Sequence, residues 1–237
     1  MGWLRPVMRS SPIWKGDRGR QKGAAFDVAV AAWRDLASDD DARYDKEYFI
    51  EASSIAPMVT WGTSPEDAIP VNGSIPEPAD ARDQSQRSRW ERALAYANLQ
   101  PGKPIAGTPI DVAFIGSCTN ARLSDLRAAA RVVDGRKVAR TVRALVVPGS
   151  SSVKRQAEAE GLDQVFRNAG FEWHESACSL CAALGPDVVG RGKRCASTSN
   201  RNFENRQGPG SITHLMSPPM VAAAAVTGAI TDVRTFA

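Results

Sequence analysis

The stretch Asp111-Val112-Ala113-Phe114-Ile115-Gly116-Ser117-Cys118-Thr119-Asn120 decides how the chain is read. Asp111 to Ile115 is a short apolar run of the kind carried by a strand buried on both faces, and it stops at Gly116-Ser117. A helix is predicted next, from about Arg122 to Val133, because Leu123, Leu126, Ala130 and Val133 fall on one stripe. Arg143 to Val147 repeats the buried-strand pattern and ends in Pro148-Gly149-Ser150. Ser152 to Glu160 and Leu162 to Ala169 read as helices, with Gly161 between them and Gly170 as a C-cap. Phe171 to His174 and Arg194 to Ser197 are further strand candidates. Ser217 before Pro218 supplies an N-cap and a proline near the first helical position, opening a helix through Val226 that Gly228 ends. Strands alternating with helices predict a layered α/β domain with a mainly parallel sheet and helices on both faces.

Upstream, Phe26 to Leu36 has helical spacing and Asp39-Asp40-Asp41 breaks it. Tyr44 to Ala52 alternates in character and predicts an exposed strand. Five prolines between Pro57 and Pro78, with Gly62 and Gly73, preclude long regular elements there, and a helix is expected from about Ser85 to Asn98. The expected organisation is a tail over 1–22, a partial domain with a proline-rich connector over 23–100, and an α/β domain over 101–237. No internal repeat is present.

With 43% apolar and 24% charged residues the chain has ordinary globular usage, which excludes a disordered or coiled-coil protein. The longest apolar stretch, Met220 to Val226, is too short to span a bilayer. The net charge of +4 would tempt a nucleic-acid reading, but its location argues against one. Met1 to Lys22 holds six basic residues and only Asp17, a local +5 that leaves −1 on the rest of the chain. A groove binder carries its excess on the folded domain, so no nucleic-acid partner is expected.

In parallel sheets ligands sit beyond the carboxyl ends of strands, and three loops there carry reactive residues: Gly116 to Asn120, Ser176 to Cys181 and Thr198 to Arg206. Four cysteines in a chain without an evident export signal point to a reducing, cytoplasmic setting, where clustered thiols bind metal or do redox chemistry. Cys118 and the Cys178-x-x-Cys181 pair, about sixty residues apart, can converge on one centre. Soft thiolates suit zinc or an iron–sulfur cluster, with His174 the one nearby histidine. Taken alone, Cys178-x-x-Cys181 reads equally as a half-buried pair or a thiol redox pair. Cys195, inside a predicted strand, reads as a core residue, and His214 as structural.

Gly116-Ser117-Cys118-Thr119-Asn120, Cys178-Ser179-Leu180-Cys181 and the run Ser199-Asn200-Arg201-Asn202-Phe203-Glu204-Asn205-Arg206-Gln207-Gly208 together resemble the aconitase superfamily in order and spacing. Val59 to Thr63, Ala144 to Ser150 and Thr213 to Pro218 resemble its bacterial branch of 3-isopropylmalate dehydratase large subunits, from about Gly23 to Ala237.

The resemblance implies an aconitase-like fold and a [4Fe-4S] cluster held by Cys118, Cys178 and Cys181, with one iron left open. It implies a hydro-lyase that interconverts 2-isopropylmalate and 3-isopropylmalate through an alkene, in leucine biosynthesis. Asn200, Arg201 and Arg206 match positions that hold a dicarboxylate substrate or lie beside the cluster, and guanidinium groups suit carboxylates as bidentate donors. The partner implied is a small subunit, which carries the family's catalytic serine, so no catalytic base is expected in this chain. Family large subunits are longer, and their additional part precedes Gly23, so the isolated chain is expected to be inactive. Read in another frame, Met1 to Gly23 permits a family-like segment, so 1–22 is expected to be an out-of-frame, functionless, disordered tail. The alternatives are a noncatalytic cluster- or zinc-binding module, or a related hydro-lyase such as homoaconitase, citraconate hydratase or aconitase.

Overall fold

The computed structural model describes residues 23–36, 38, 39, 41–183 and 187–236; the expectation for 1–22 lies outside them. The described residues divide between two compact units, whose bounds fall at 1–52 and 53–237. In chain order the elements are α1 (Ala24–Arg34), β1 (Met58–Thr60), β2 (Ala68–Pro70), α2 (Gln84–Ala97), β3 (Val112–Ile115), α3 (Leu123–Val133), β4 (Arg143–Val146), α4 (Ser151–Ala159), α5 (Leu162–Ala169), β5 (Glu172–Trp173), β6 (Arg194–Ser197), β7 (Ile212–Leu215) and α6 (Pro218–Thr227). None of the described helices is long and apolar enough to cross a membrane.

In the first unit, α1 forms as expected, with Phe26 and Trp33 edge to face at 6.2 Å. The strand expected over Tyr44 to Ala52 does not form: 46–51 are without regular structure, and Tyr48, Phe49 and Ile50 are exposed. A strand is held by ladder bonds to a neighbour, and alternation by itself supplies none.

The second unit is built on a parallel five-stranded sheet in the order β5-β4-β3-β6-β7. Val112 to Ile115 is buried throughout because it pairs on both sides, Ala113 with Ala144 of β4 and with Ala196 of β6. β7, which the sequence reading passed over, pairs with β6 from Arg194↔Ile212 to Ser197↔Leu215. Its Thr213 and His214 break the apolar pattern, and both find buried partners. β1 and β2 form a short antiparallel hairpin, and Val59 bridges to Met216 beyond β7.

The two faces of the sheet are covered differently. Ala113, Ile115, Ala144, Val146 and Ala196 join the larger core with the buried residues of α3, α4, α5 and α6. The run Met220 to Ala225 is fully buried, and its alanines let α6 pack closely on α3. Phe166 of α5 sits at the centre of an aromatic group, 5.4 Å from Phe171 and 5.9 Å from Trp173 between ring centroids. On the opposite face, Val112, Phe114, Leu145, Val147 and Cys195 form a smaller core with Leu180 and Val189. The cover on that face is loop, with one turn of 3-10 helix at Ser179–Cys181.

The helix ends follow their local chemistry. Asp83 caps α2 by accepting from Gln86 N–H, and Asn98 closes it in the left-handed conformation. Ser150 caps α4 through Val153 N–H, and Gly228 ends α6 with φ 79°.

Candidate functional site

The sheet order reverses direction between β3 and β6, and the crevice beyond their carboxyl ends is the usual ligand position of an open parallel sheet. Two of the singled-out loops leave from that point. Thr198, fully buried, clips them together: its hydroxyl accepts from Gly116 N–H at 2.8 Å and donates to the Gly116 carbonyl at 2.6 Å. Asn120 Nδ2 donates to the Thr198 carbonyl at 2.9 Å, and Asn120 N–H donates to Ser117 Oγ at 3.2 Å. Ser117 is held at φ 93°, a left-handed backbone that an ordinary side chain seldom adopts. Gly149, after β4, completes the turn: a Cβ there would stand 3.0 Å from the Ala121 carbonyl oxygen and 3.2 Å from that of Ser117. Cys118, on the crest of this braced loop, is exposed.

The Cys178–Cys181 turn follows β5 and folds back over the smaller core, with Leu180 fully buried as its anchor. Cys181 N–H donates to the Cys178 carbonyl at 2.8 Å. Ser179, at φ 41°, donates to Asp187 Oδ2 at 2.9 Å. Asp187 lies 3.3 Å from Arg143 Nη2, and Arg143 grips Glu172 with two bonds of 2.8 Å. That guanidinium holds the Glu172 carboxyl below its ordinary range. His174 belongs to this group, with Nε2 3.0 Å from Glu172 and Nδ1 3.7 Å from Asp187. Its two ring nitrogens face carboxylates, so His174 is a second-rank candidate for a ligand and a first-rank partner of the acidic pair.

The loop from Thr198 to Ser211 carries Asn200, Arg201 and Arg206, and the structure separates them. Asn200 lines a cleft of about 390 Å³ together with Asn120, Ser199 and the apolar side chains of Met58, Val59, Leu215 and Met216. Arg201 is exposed and donates to the Asn200 carbonyl at 3.3 Å. Arg206 instead exerts its charge on Cys181, favouring the thiolate. Its guanidinium stands 5.2 Å from the Phe203 ring centroid, and its buried Nε has no hydrogen-bond partner. Asn202, which the sequence reading did not single out, is buried and donates to the carbonyls of Gly62 at 2.7 Å and Ser64 at 3.3 Å. No local pattern marks it, because its partners lie about 140 residues upstream.

Electrostatics tie the three thiols together. Burial pushes the Cys181 thiol up; Arg206 opposes by its charge and hydrogen bond, and Cys178 and Cys118 both push upward. Cys118 and Cys178 therefore each lie within electrostatic reach of Cys181. Among the described residues no three His, Cys, Asp or Glu side chains form a group that could hold a metal ion. A multi-iron cluster meets each cysteine on a different atom, and three thiols on two loops near a guanidinium are a donor set of the kind such a polyanionic group takes. The donor set is soft, and the Arg206 Nε is buried without a hydrogen-bond partner.

Cys195 is fully buried, its thiol raised by burial, and it takes no part in this group. His214 is likewise internal: Nδ1 donates to the Thr60 carbonyl at 2.6 Å and Nε2 accepts from Arg194 Nη1 at 2.8 Å. Burial and the Arg194 charge lower its pKa to about 3, against the Thr60 bond. The structural role expected of His214 follows from these contacts.

The family model described as Aconitase family (aconitate hydratase) matches residues 14–228. The chain belongs to that family, which makes it a protein of hydro-lyase type, and proteins of the family generally bind a [4Fe-4S] cluster. The match begins nine residues before Gly23, where the motif resemblance begins.

Proposed function

From this membership we propose that the chain is the cluster-binding part of a 3-isopropylmalate dehydratase large subunit. Its reaction is the interconversion of 2-isopropylmalate and 3-isopropylmalate by loss and re-addition of water, in leucine biosynthesis, in the cytoplasm. The observation that supports the reading is that Cys118, on the braced loop after β3, and the Cys178–Cys181 turn, after β5, both leave the carboxyl ends of one parallel sheet, with the Arg206 charge acting on Cys181.

In this reading Cys118, Cys178 and Cys181 hold a [4Fe-4S] cluster, and Cys195 and His174 do not. When bound, a cluster with one open iron supplies a Lewis acid to a substrate hydroxyl and carboxylate. Arg206 offers its guanidinium to a substrate carboxylate beside the cluster, and the planar fork orients that group. Arg201, exposed at the loop crest, is free to meet a second carboxylate, with Asn200 turned toward the cleft. The apolar wall of Met58, Val59, Leu215 and Met216 beside Asn200 suits a branched alkyl group better than the additional carboxylate of a tricarboxylate. The proton-transferring base is assigned to the small-subunit partner, as the family resemblance implies.

The test is a dehydratase assay with the reconstituted chain, the small subunit and the preceding part that family large subunits carry, supplied as a separate polypeptide, following alkene formation from 3-isopropylmalate and from citrate. Turnover of isopropylmalate in preference to citrate is expected. Preference for citrate would overturn the substrate assignment, and a chain that assembles its cluster yet turns over neither substrate would overturn the enzymatic one.

A further inference from the structure

Arg206 and its neighbour Gln207 act on two neighbouring residues of the cysteine turn: the Arg206 charge acts on Cys181, and Gln207 hydrogen-bonds Leu180. Gln207 is fully buried, and both ends of its amide are used. Nε2 donates to the Leu180 carbonyl at 3.0 Å and to Ser197 Oγ at 3.2 Å. Oε1 accepts from Thr213 Oγ1 at 2.8 Å. The carbonyl and the hydroxyl fix the amide's orientation, since Leu180 C=O can only accept. The Gln207 main chain adds two anchors, accepting from Val189 N–H at 2.7 Å and donating to Ser211 Oγ at 3.3 Å. One side chain therefore binds the turn of Cys178–Cys181, the end of β6 and the middle of β7. The next residue, Gly208, has φ 123°, and a Cβ there would stand 2.8 Å from the Val189 carbonyl oxygen, so the loop is drawn tightly onto the segment that follows the turn.

We propose that Gln207 is a positioning residue that sets the register between Arg206 and the Cys178–Cys181 turn, so that the guanidinium and the two thiols are presented as one unit. The consequence for a bound cluster rests on the proposed function; the bracket itself does not. Without the Nε2 donor, the Leu180 carbonyl is left buried and unpaired, and the turn opens more often.

The experiment is alkylation of the chain by iodoacetamide, read for each cysteine by mass spectrometry. In Gln207→Leu, Cys181 is expected to react about tenfold faster relative to Cys118 in the same molecule, the factor that loss of one buried hydrogen bond supports. Thr213→Val removes a bond to the same side chain but leaves Leu180 paired, and is expected to leave that ratio unchanged. Gln207→Glu keeps the size and the acceptor for Thr213 while facing Leu180 with an acceptor, and it is expected to act like Gln207→Leu should the latter fail to fold. A Cys181 ratio that moves no more in the Gln207 variants than in Thr213→Val overturns the proposal. Reconstituted Gln207→Leu is further expected to bleach about tenfold faster under a chelator. A wild-type chain that assembles no cluster would overturn the proposed function and leave the alkylation ratio to decide Gln207.

Discussion

The two faces of the central sheet are built from the same strands and serve different ends. On one face, alternate residues of β3, β4 and β6 meet four helices whose buried side chains are almost all apolar. On the other, five sheet residues are covered by loops, with Leu180 and Val189 as the apolar pins and with Thr198, Gln207 and Asp187 as polar ones. The helical face gains from non-directional burial, which tolerates small shifts. The loop face is held by directional bonds, which fix where each side chain points. Every residue given a chemical role lies on the loops of the second face or at the carboxyl ends of the strands.

The largest effect expected from this contrast is on the helical face. Phe166→Ala removes a fully buried ring stacked on Trp173 and edge to face with Phe171, and should cost about 3–5 kcal/mol in denaturant unfolding. A smaller loss would mean that the aromatic group is not a load on the fold. Thr198→Val tests the junction of the two regions. It strands Gly116 N–H and the Gly116 carbonyl in a buried setting and should cost about 1–3 kcal/mol. An unchanged unfolding midpoint would show that the clip contributes nothing.

A gentler effect is set by pH. His214 has a folded pKa of about 3 against 6.5 when free, so acid favours protonation of the unfolded chain. The stability it contributes is complete above pH 6.5 and is lost as pH falls toward 3, at up to about 1.4 kcal/mol per pH unit. Between pH 6.5 and 5, above the range where most carboxylates titrate, that slope should be visible in wild type and absent in His214→Asn. An equal slope in both would place the titration elsewhere.

The helical face was largely legible in the sequence. Its strands are continuous apolar runs and its helices carry stripes and caps, so α2, α3, α5 and α6 fall within two residues of expectation at their ends. Strand β7 was not, because Thr213 and His214 are polar residues whose partners, Gln207 and Thr60, are supplied by tertiary structure. The strand expected over Tyr44 to Ala52 failed for the converse reason: alternation was present and a pairing neighbour was not. At the site, the three cysteine and arginine loops could be placed from strand ends alone. Thr198, Asn202 and Gln207 could not, since their partners lie 82, 140 and 27 residues away. Nor did spacing foresee that Arg206 would join the cysteines while Asn200 turned to the cleft.

The central claim is that Cys118, Cys178 and Cys181 share one centre and Cys195 stands apart. Anaerobic reconstitution with iron and sulfide, followed by visible absorption of wild type and of each Cys→Ser variant, addresses it directly. The cluster signal should be lost in Cys118→Ser, Cys178→Ser and Cys181→Ser and kept in Cys195→Ser. Equal loss in Cys195→Ser, or an undiminished signal in any of the other three, would contradict it.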